Sequence, residues 1–202
     1  MSIKTFKWPF EHSLQDILQS YNIDLNDFTV LQSQFNFSSW MHGILHTYRV
    51  TLHCLIIGYL EQKPRAGLLS ALGAIIHDMA RHNEGEDYEH GADAAKLKFD
   101  QLKKHIEKYT VTEEEQEWIK RAVTKHSYGE ATKDDPAYDI VCMLKDADAL
   151  DRLRFYDLNP KYLRTASSKT MIPFADHIAN DVDYERNSSF NQFLTPILSS
   201  II

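Results

Sequence analysis

Residues 64–78 read PRAGLLSALGAIIHD, and this stretch decides the fold. Lys63-Pro64 fits a helix start with proline in the first turn, where a missing N–H costs no intrahelical bond. The residues that follow, AGLLSALGAII, are apolar nearly all round, which marks a central, buried helix. Its apolar run, Leu68 to Ile76, is interrupted by Ser70 and stops at His77, well short of the roughly 20 residues needed to cross a bilayer. A helix of this kind must be covered by others on every side.

The neighbouring sequence supplies them. Ser38 and Ser39 precede a proline-free periodic segment, Trp40 to Leu60, which reads as a serine-capped helix with Gly43 as its weak spot. Further back, spaced Leu, Ile, Tyr and Phe over residues 11–32 suggest one or two short helices, with Asp24 and Asn26 as caps. Downstream, HNEGEDYE at 82–89 is a polar connection. The next helix is expected from about Tyr88 to Tyr109, with Leu97, Leu102 and Ile106 inward and lysines outward. Thr112 followed by Glu115 has capping-box spacing and opens a helix through Ile119, Ala122 and Val123 to His126. Asp134 to Pro136 breaks the chain, and a helix follows from Tyr138 to about Phe155. Residues 157–202 read as loops with one or two shorter helices. No alternating strand pattern is found, so the expectation is an all-α helical bundle of roughly seven to nine helices. A single domain over residues 1–202 is expected, with its motif-bearing core at about 38–156.

The 202 residues carry 43% hydrophobic and 25% charged side chains, a balance that argues against disorder and membrane residence. The net charge of -7 disfavours a broad grip on a nucleic-acid polymer, which needs clustered Lys and Arg. Cys54 and Cys142 lie in apolar stretches and read as small buried hydrophobes, consistent with a reducing, cytoplasmic setting. The N-terminal stretch has no uninterrupted apolar region ahead of a cleavage site, so no targeting segment is expected.

Three segments gather chemistry. His42, His46, Arg49 and His53 form a polar stripe at helical spacing. His77-Asp78 ends the apolar helix, where an ionised carboxylate is costly unless a cation or hydrogen bonds replace its water; a metal ion, or a basic residue such as Arg49, would satisfy it. In LKDADALDRLR, residues 144–154, helical geometry aims Asp148 into the arc of Ile140, Met143 and Leu150. Asp146 falls outside that arc and reads as solvated, while Asp151 falls within it with its role open. His90 and His126, near helix ends, are further candidates; His12, His82, His105 and His177 are weaker, and His105 reads as solvated. Arg81 sits one turn beyond His77, suited to neutralising a phosphate oxygen or to pairing with Glu84 or Asp87. Lys125 and Arg49 are lesser candidates for the phosphate role. Tyr156, Tyr162 and Arg164 read either as pocket lining or as packing.

In order, HTYRV with His46, the adjacent His77-Asp78 and DADALD with Asp148 resemble the metal-ligand set of the HD-domain phosphohydrolase superfamily. The resemblance spans about residues 42–154. It implies an all-helical, HD-domain-like core in which His46, His77, Asp78 and Asp148 bind one divalent ion: manganese, iron, nickel, cobalt, zinc or magnesium. His90 and His126 are similar in position to the two histidines that hold a second ion in some members, where the aspartate of the pair bridges; in single-ion members such histidines face the substrate. The reading adopted from sequence is one ion with both histidines facing substrate. HD nucleotidases and guanosine-polyphosphate hydrolases resemble one another in an acidic residue three or four positions after the pair. Here HDMARH offers Arg81 and His82 instead, so neither substrate class carries over.

The activity expected is hydrolysis of a small phosphomonoester or phosphodiester, with a nucleotide as one candidate. Asp78 orients the water, Arg81 steadies the phosphate, and His90 or His126 stabilises the departing oxygen. The alternatives are a di-iron oxygenase of the same superfamily cleaving a C–C or C–P bond, and a non-catalytic metal-binding module. The partner expected is a small phosphorylated substrate, with no nucleic-acid polymer and no membrane; a homodimer is left open.

Overall fold

A computed structural model describes residues 4–185 and 188–202. Met1 to Ile3 of the N-terminal stretch and Arg186 and Asn187 of the tail lie outside the described residues, so the targeting reading and the reading of the tail extend to them untested. The described chain is all-helical, with ten α-helices and no named strand. These are α1 Leu14–Ser20, α2 Ile44–Leu60, α3 Pro64–Ile76, α4 His90–Leu97, α5 Lys103–Lys108, α6 Glu113–Ser127, α7 Tyr138–Asp151, α8 Ala166–Thr170, α9 Ile172–Asn180 and α10 Phe190–Ser200. The count exceeds the seven to nine of the sequence reading because the tail holds three helices and the 88–109 segment breaks up.

The PRAGLLSALGAII segment is the central helix. Every residue of α3 from Gly67 to Ile76 is buried, and α2, α6 and α7 pack around it. Its crossing with α2 is close enough to need glycine on both sides. A Cβ at Gly58 would stand 2.3 Å from Gly67 Cα, so any side chain there would drive the helices apart. Arg65 at the start of α3 grips Glu115 at the start of α6 through Nε at 2.7 Å and Nη2 at 2.6 Å. The capping box is present: Glu115 N donates to Thr112 Oγ1 and Thr112 N donates to Glu115 Oε2.

Four local expectations are corrected. α2 begins at Ile44, with Gly43 as its N-cap, rather than at Trp40; Ser39 Oγ instead accepts from His42 N in the non-helical lead-in. The segment expected as one helix to Tyr109 is α4, a 3-10 turn at Phe99–Leu102 and α5. Leu97 is 59% exposed rather than inward, whereas Leu102 is buried. The helix expected to reach Phe155 stops at Asp151 and tightens into a 3-10 turn, Arg152–Phe155.

Residues 6–8 lie beside residues 200–202, with Phe6 N donating to Ser200 O and Ile202 N to Phe6 O. Cys54 and Cys142 are free and buried. No helix among the described residues is long and apolar enough to cross a membrane.

Candidate metal centre

Asp78, immediately after α3, is the hub of a buried cluster. The chain leaves the helix at His77, so the carboxylate turns away from the apolar bundle and toward the ends of α2, α4, α6 and α7. Its two oxygens face two different pairs of imidazoles. Oδ2 is 3.2 Å from His46 Nε2 and 3.5 Å from His77 Nε2, and Oδ1 is 3.1 Å from His90 Nε2 and 3.6 Å from His126 Nε2. Asp148 Oδ1 approaches His46 Nε2 at 3.3 Å. The six residues singled out in the sequence therefore converge, and donor atoms of His46, His77 and Asp148, and of His77, Asp78 and His126, lie within 4.8 Å of one another. These are buried His/Asp clusters that could hold a metal ion.

The imidazoles are aimed by their other nitrogen. His77 Nδ1 donates to Ala74 O at 2.7 Å, His126 Nδ1 to Val123 O at 2.5 Å, His90 Nδ1 to Asp87 O, and His46 Nδ1 to Asp151 Oδ2 at 2.6 Å. Each bond fixes the ring and directs Nε2 inward, the outer-shell arrangement that orients metal-binding histidines. The consequence is a confrontation: His46 and His77 set Nε2 against Nε2 at 3.0 Å, and His90 and His126 do so at 2.9 Å. Lone pairs that close repel unless positive charge lies between them. A proton can supply it at each pair, and a divalent cation fits the same donors.

Electrostatics agree. Burial lowers the His46 pKa, but the carboxylates of Asp148, Asp151 and Asp78 outweigh it and push the imidazole up to about 10. Burial holds His77 down at about 4. Burial opposes ionisation of Asp78 and Asp148, yet the imidazoles around them keep both carboxyls well below the usual range. The centre attracts positive charge strongly.

Gly91 makes the second pair possible. A Cβ there would lie 2.4 Å from Val123 O and 2.6 Å from Ser127 Oγ, so only glycine lets α4 press against α6 and bring His90 to His126. Lys145, three residues before Asp148, has its ammonium on the carbonyls of Lys125 and Gly129 at 2.7 and 2.8 Å, closing the C-terminal end of α6 where His126 sits.

Above the cluster opens a cavity of about 500 Å³ lined by His42, Arg81, Arg152, Arg154 and Phe155 together with the cluster and the 84–88 loop. His42 Nδ1 lies 2.9 Å from Asp78 Oδ2. Glu84 of the lining accepts from Ser39 Oγ at 2.9 and 2.8 Å and from Trp40 N at 3.3 Å, tying the 84–88 loop to the lead-in of α2.

Several sequence readings change. Asp146 is fully buried rather than solvated: it accepts from Arg164 N, Thr165 N, Thr165 Oγ1 and Ser168 Oγ, so α7 buries acids on two faces, one toward the cluster and one toward the 163–168 segment. Arg49 pairs with Asp151, not Asp78. Arg81 pairs with neither Glu84 nor Asp87; its Nη2 donates to Gly85 O at 2.6 Å. Lys125 donates to Glu130 O, and Tyr156, Tyr162, Arg164 and His82 are not among the cavity-lining residues. His105 is half-buried, its Nε2 on Asp27 O at 2.7 Å. His42, Arg152 and Arg154 were not assigned to the site from sequence. The spacing from Asp151 to Arg154 is one helical turn, a signal available in DRLRF, whereas His42, grouped with His46 by helical spacing, lies outside α2 in its lead-in.

No protein-family model matches the chain, and no curated protein or solved structure is significantly similar to it.

Proposed function

We propose that the chain is a metal-dependent phosphohydrolase with an HD-domain-like fold, acting on a small phosphorylated molecule in the cavity above Asp78. The observation that carries this reading is the division of one buried carboxylate between two inward-aimed imidazole pairs beneath a cavity lined by arginines. His46, His77, Asp78 and Asp148 would hold one divalent ion, and Asp78, His90 and His126 a second. Two ions replace the single ion of the sequence reading because His90 and His126 aim Nε2 at each other and at Asp78 rather than at the open cavity. Three protein ligands leave positions free, as in catalytic rather than closed structural sites.

Such ions lower the pKa of a bound water and polarise a phosphoryl oxygen. The chain's own residues do the rest. Asp78, fixed from both sides, orients the attacking water. Arg81, buried beside His90 with its Nε unpartnered, offers a donor to a non-bridging oxygen. The new bond joins water oxygen to phosphorus, the ester P–O bond breaks, and the proton the water gives up ends on the leaving alcohol. The net charge of -7 matters little here, because the arginines act locally.

Metal analysis of the purified protein together with a phosphoester panel under several divalent ions tests the reading. Turnover that needs a stoichiometric ion and disappears on chelation is expected. Full metal occupancy with no hydrolysis of any phosphoester would overturn it. The same two-ion ligand arrangement supports a second reading, the di-iron oxygenase; two irons and an oxygen requirement would select that one.

A further inference from the structure

Arg154 repeats, at one end of the cluster, what Arg81 does at the other. Arg81 Nη1 lies 3.1 Å from His90 Nδ1, and Arg154 Nη1 lies 3.1 Å from His46 Nδ1. At the Arg154 end the imidazole N–H and the guanidinium share one acceptor, Asp151 Oδ2, whereas at the other end His90 Nδ1 donates to Asp87 O and Arg81 Nη2 to Gly85 O. Each guanidinium has a buried Nε without a partner, and each lines the cavity. Asp151 is already matched by Arg49, whose Nε and Nη2 meet both of its oxygens, so the charge of Arg154 is surplus to the structural pair. The Arg154 guanidinium carbon sits 4.2 Å over the Phe155 ring, which limits the freedom it would lose on gripping a ligand.

From this pairing we infer that Arg154, positioned by Asp151, is a second phosphoryl-binding residue at the end of the cluster opposite Arg81, and that the substrate presents a terminal phosphoryl group. Two guanidinium groups and the centre between them call for three non-bridging oxygens. A terminal phosphoryl group has three; a diester has two. The inference rests on the hydrolase reading for its substrate but not for its anion.

Binding of inorganic phosphate to the metal-loaded protein, followed by calorimetry, tests it apart from turnover. Arg154→Gln should weaken phosphate binding about ten- to a hundredfold, the range of a lost charge-assisted contact, while metal content stays at the wild-type level. Arg154→Lys should recover part of the loss, since it restores charge without the fork. On a substrate panel the wild type should prefer monoesters over diesters, and Arg154→Gln should lose that preference. Unchanged phosphate affinity in Arg154→Gln, no phosphate binding by the wild type, or loss of metal together with phosphate would overturn the assignment. Loss of phosphate affinity in a protein whose wild type hydrolyses no phosphoester would support it and sink the hydrolase reading instead.

Discussion

The two ends of the cluster are built differently. His46, His77 and Asp148 stand at or just beyond the ends of α2, α3 and α7, three helices most of whose residues are buried. His90 and His126 stand at the first residue of the short helix α4 and in the last turn of α6, beside the 82–89 loop. One end is set by three helices packed on one another in the core, the other by the close approach of α4 to α6 at Gly91. Rigid scaffolds position and adaptable edges admit, so the first end should retain its ion under conditions that empty the second.

The largest effect is expected where the rigid end loses a ligand. His46→Ala or Asp148→Ala should abolish ion retention and lower turnover by about a thousandfold or more, read by metal analysis and kinetics. If either variant kept both ions, the contrast between the ends would vanish. Asp146→Ala tests whether the rigid end depends on ligands alone. Removing a carboxylate that five donors share should cost roughly 3–5 kcal/mol in denaturant unfolding, yet protein that remains folded should keep its metal.

His53, on α2 but away from the ion, probes the same scaffold by pH. Burial lowers its pKa from 6.5 to about 4. The unfolded chain therefore binds the extra proton first, so this group's contribution is fully present above pH 6.5 and is lost as pH falls toward 4. That loss amounts to roughly 3 kcal/mol. His53→Leu should flatten the acid limb of stability measured by urea melts; an unaltered limb would remove His53 from the account. The smallest effect belongs to the adaptable end. Gly91→Ala should push α4 from α6, lower occupancy of the second ion and cut turnover about ten- to a hundredfold with the first ion retained. Equal loss of both ions would show that the ends are one unit.

Much of this was legible in residue order. The all-round apolar character of 64–76 located the central helix, and the Thr112/Glu115 pair fixed the start of α6. Asp78 and Asp148 could be picked out because carboxylates next to apolar faces demand a partner, whereas His46 and His77 were joined to them as one ligand set by the resemblance of the motif order. Asp146 was misread for a physical reason: helical angle tells which face a residue occupies, not whether another segment covers that face. Arg164, Thr165 and Ser168 come from eighteen or more residues downstream, and nothing local announces them. The Glu84 tether escaped for the same reason, since loop residues carry no period; His42 was grouped with His46 by helical spacing, yet it stands ahead of α2 and reaches Asp78 from the lead-in. Arg154 was within reach of the helical argument, but its significance depends on the likeness to Arg81, which exists only in three dimensions.

The Glu84 contacts have a consequence for His42. Glu84 accepts from Ser39 Oγ and Trp40 N, Ser39 Oγ accepts in turn from His42 N, and the His42 ring meets Asp78. Removing that single acid would therefore slacken the lead-in to α2 and disturb the hub through the backbone, without touching any of the six clustered side chains.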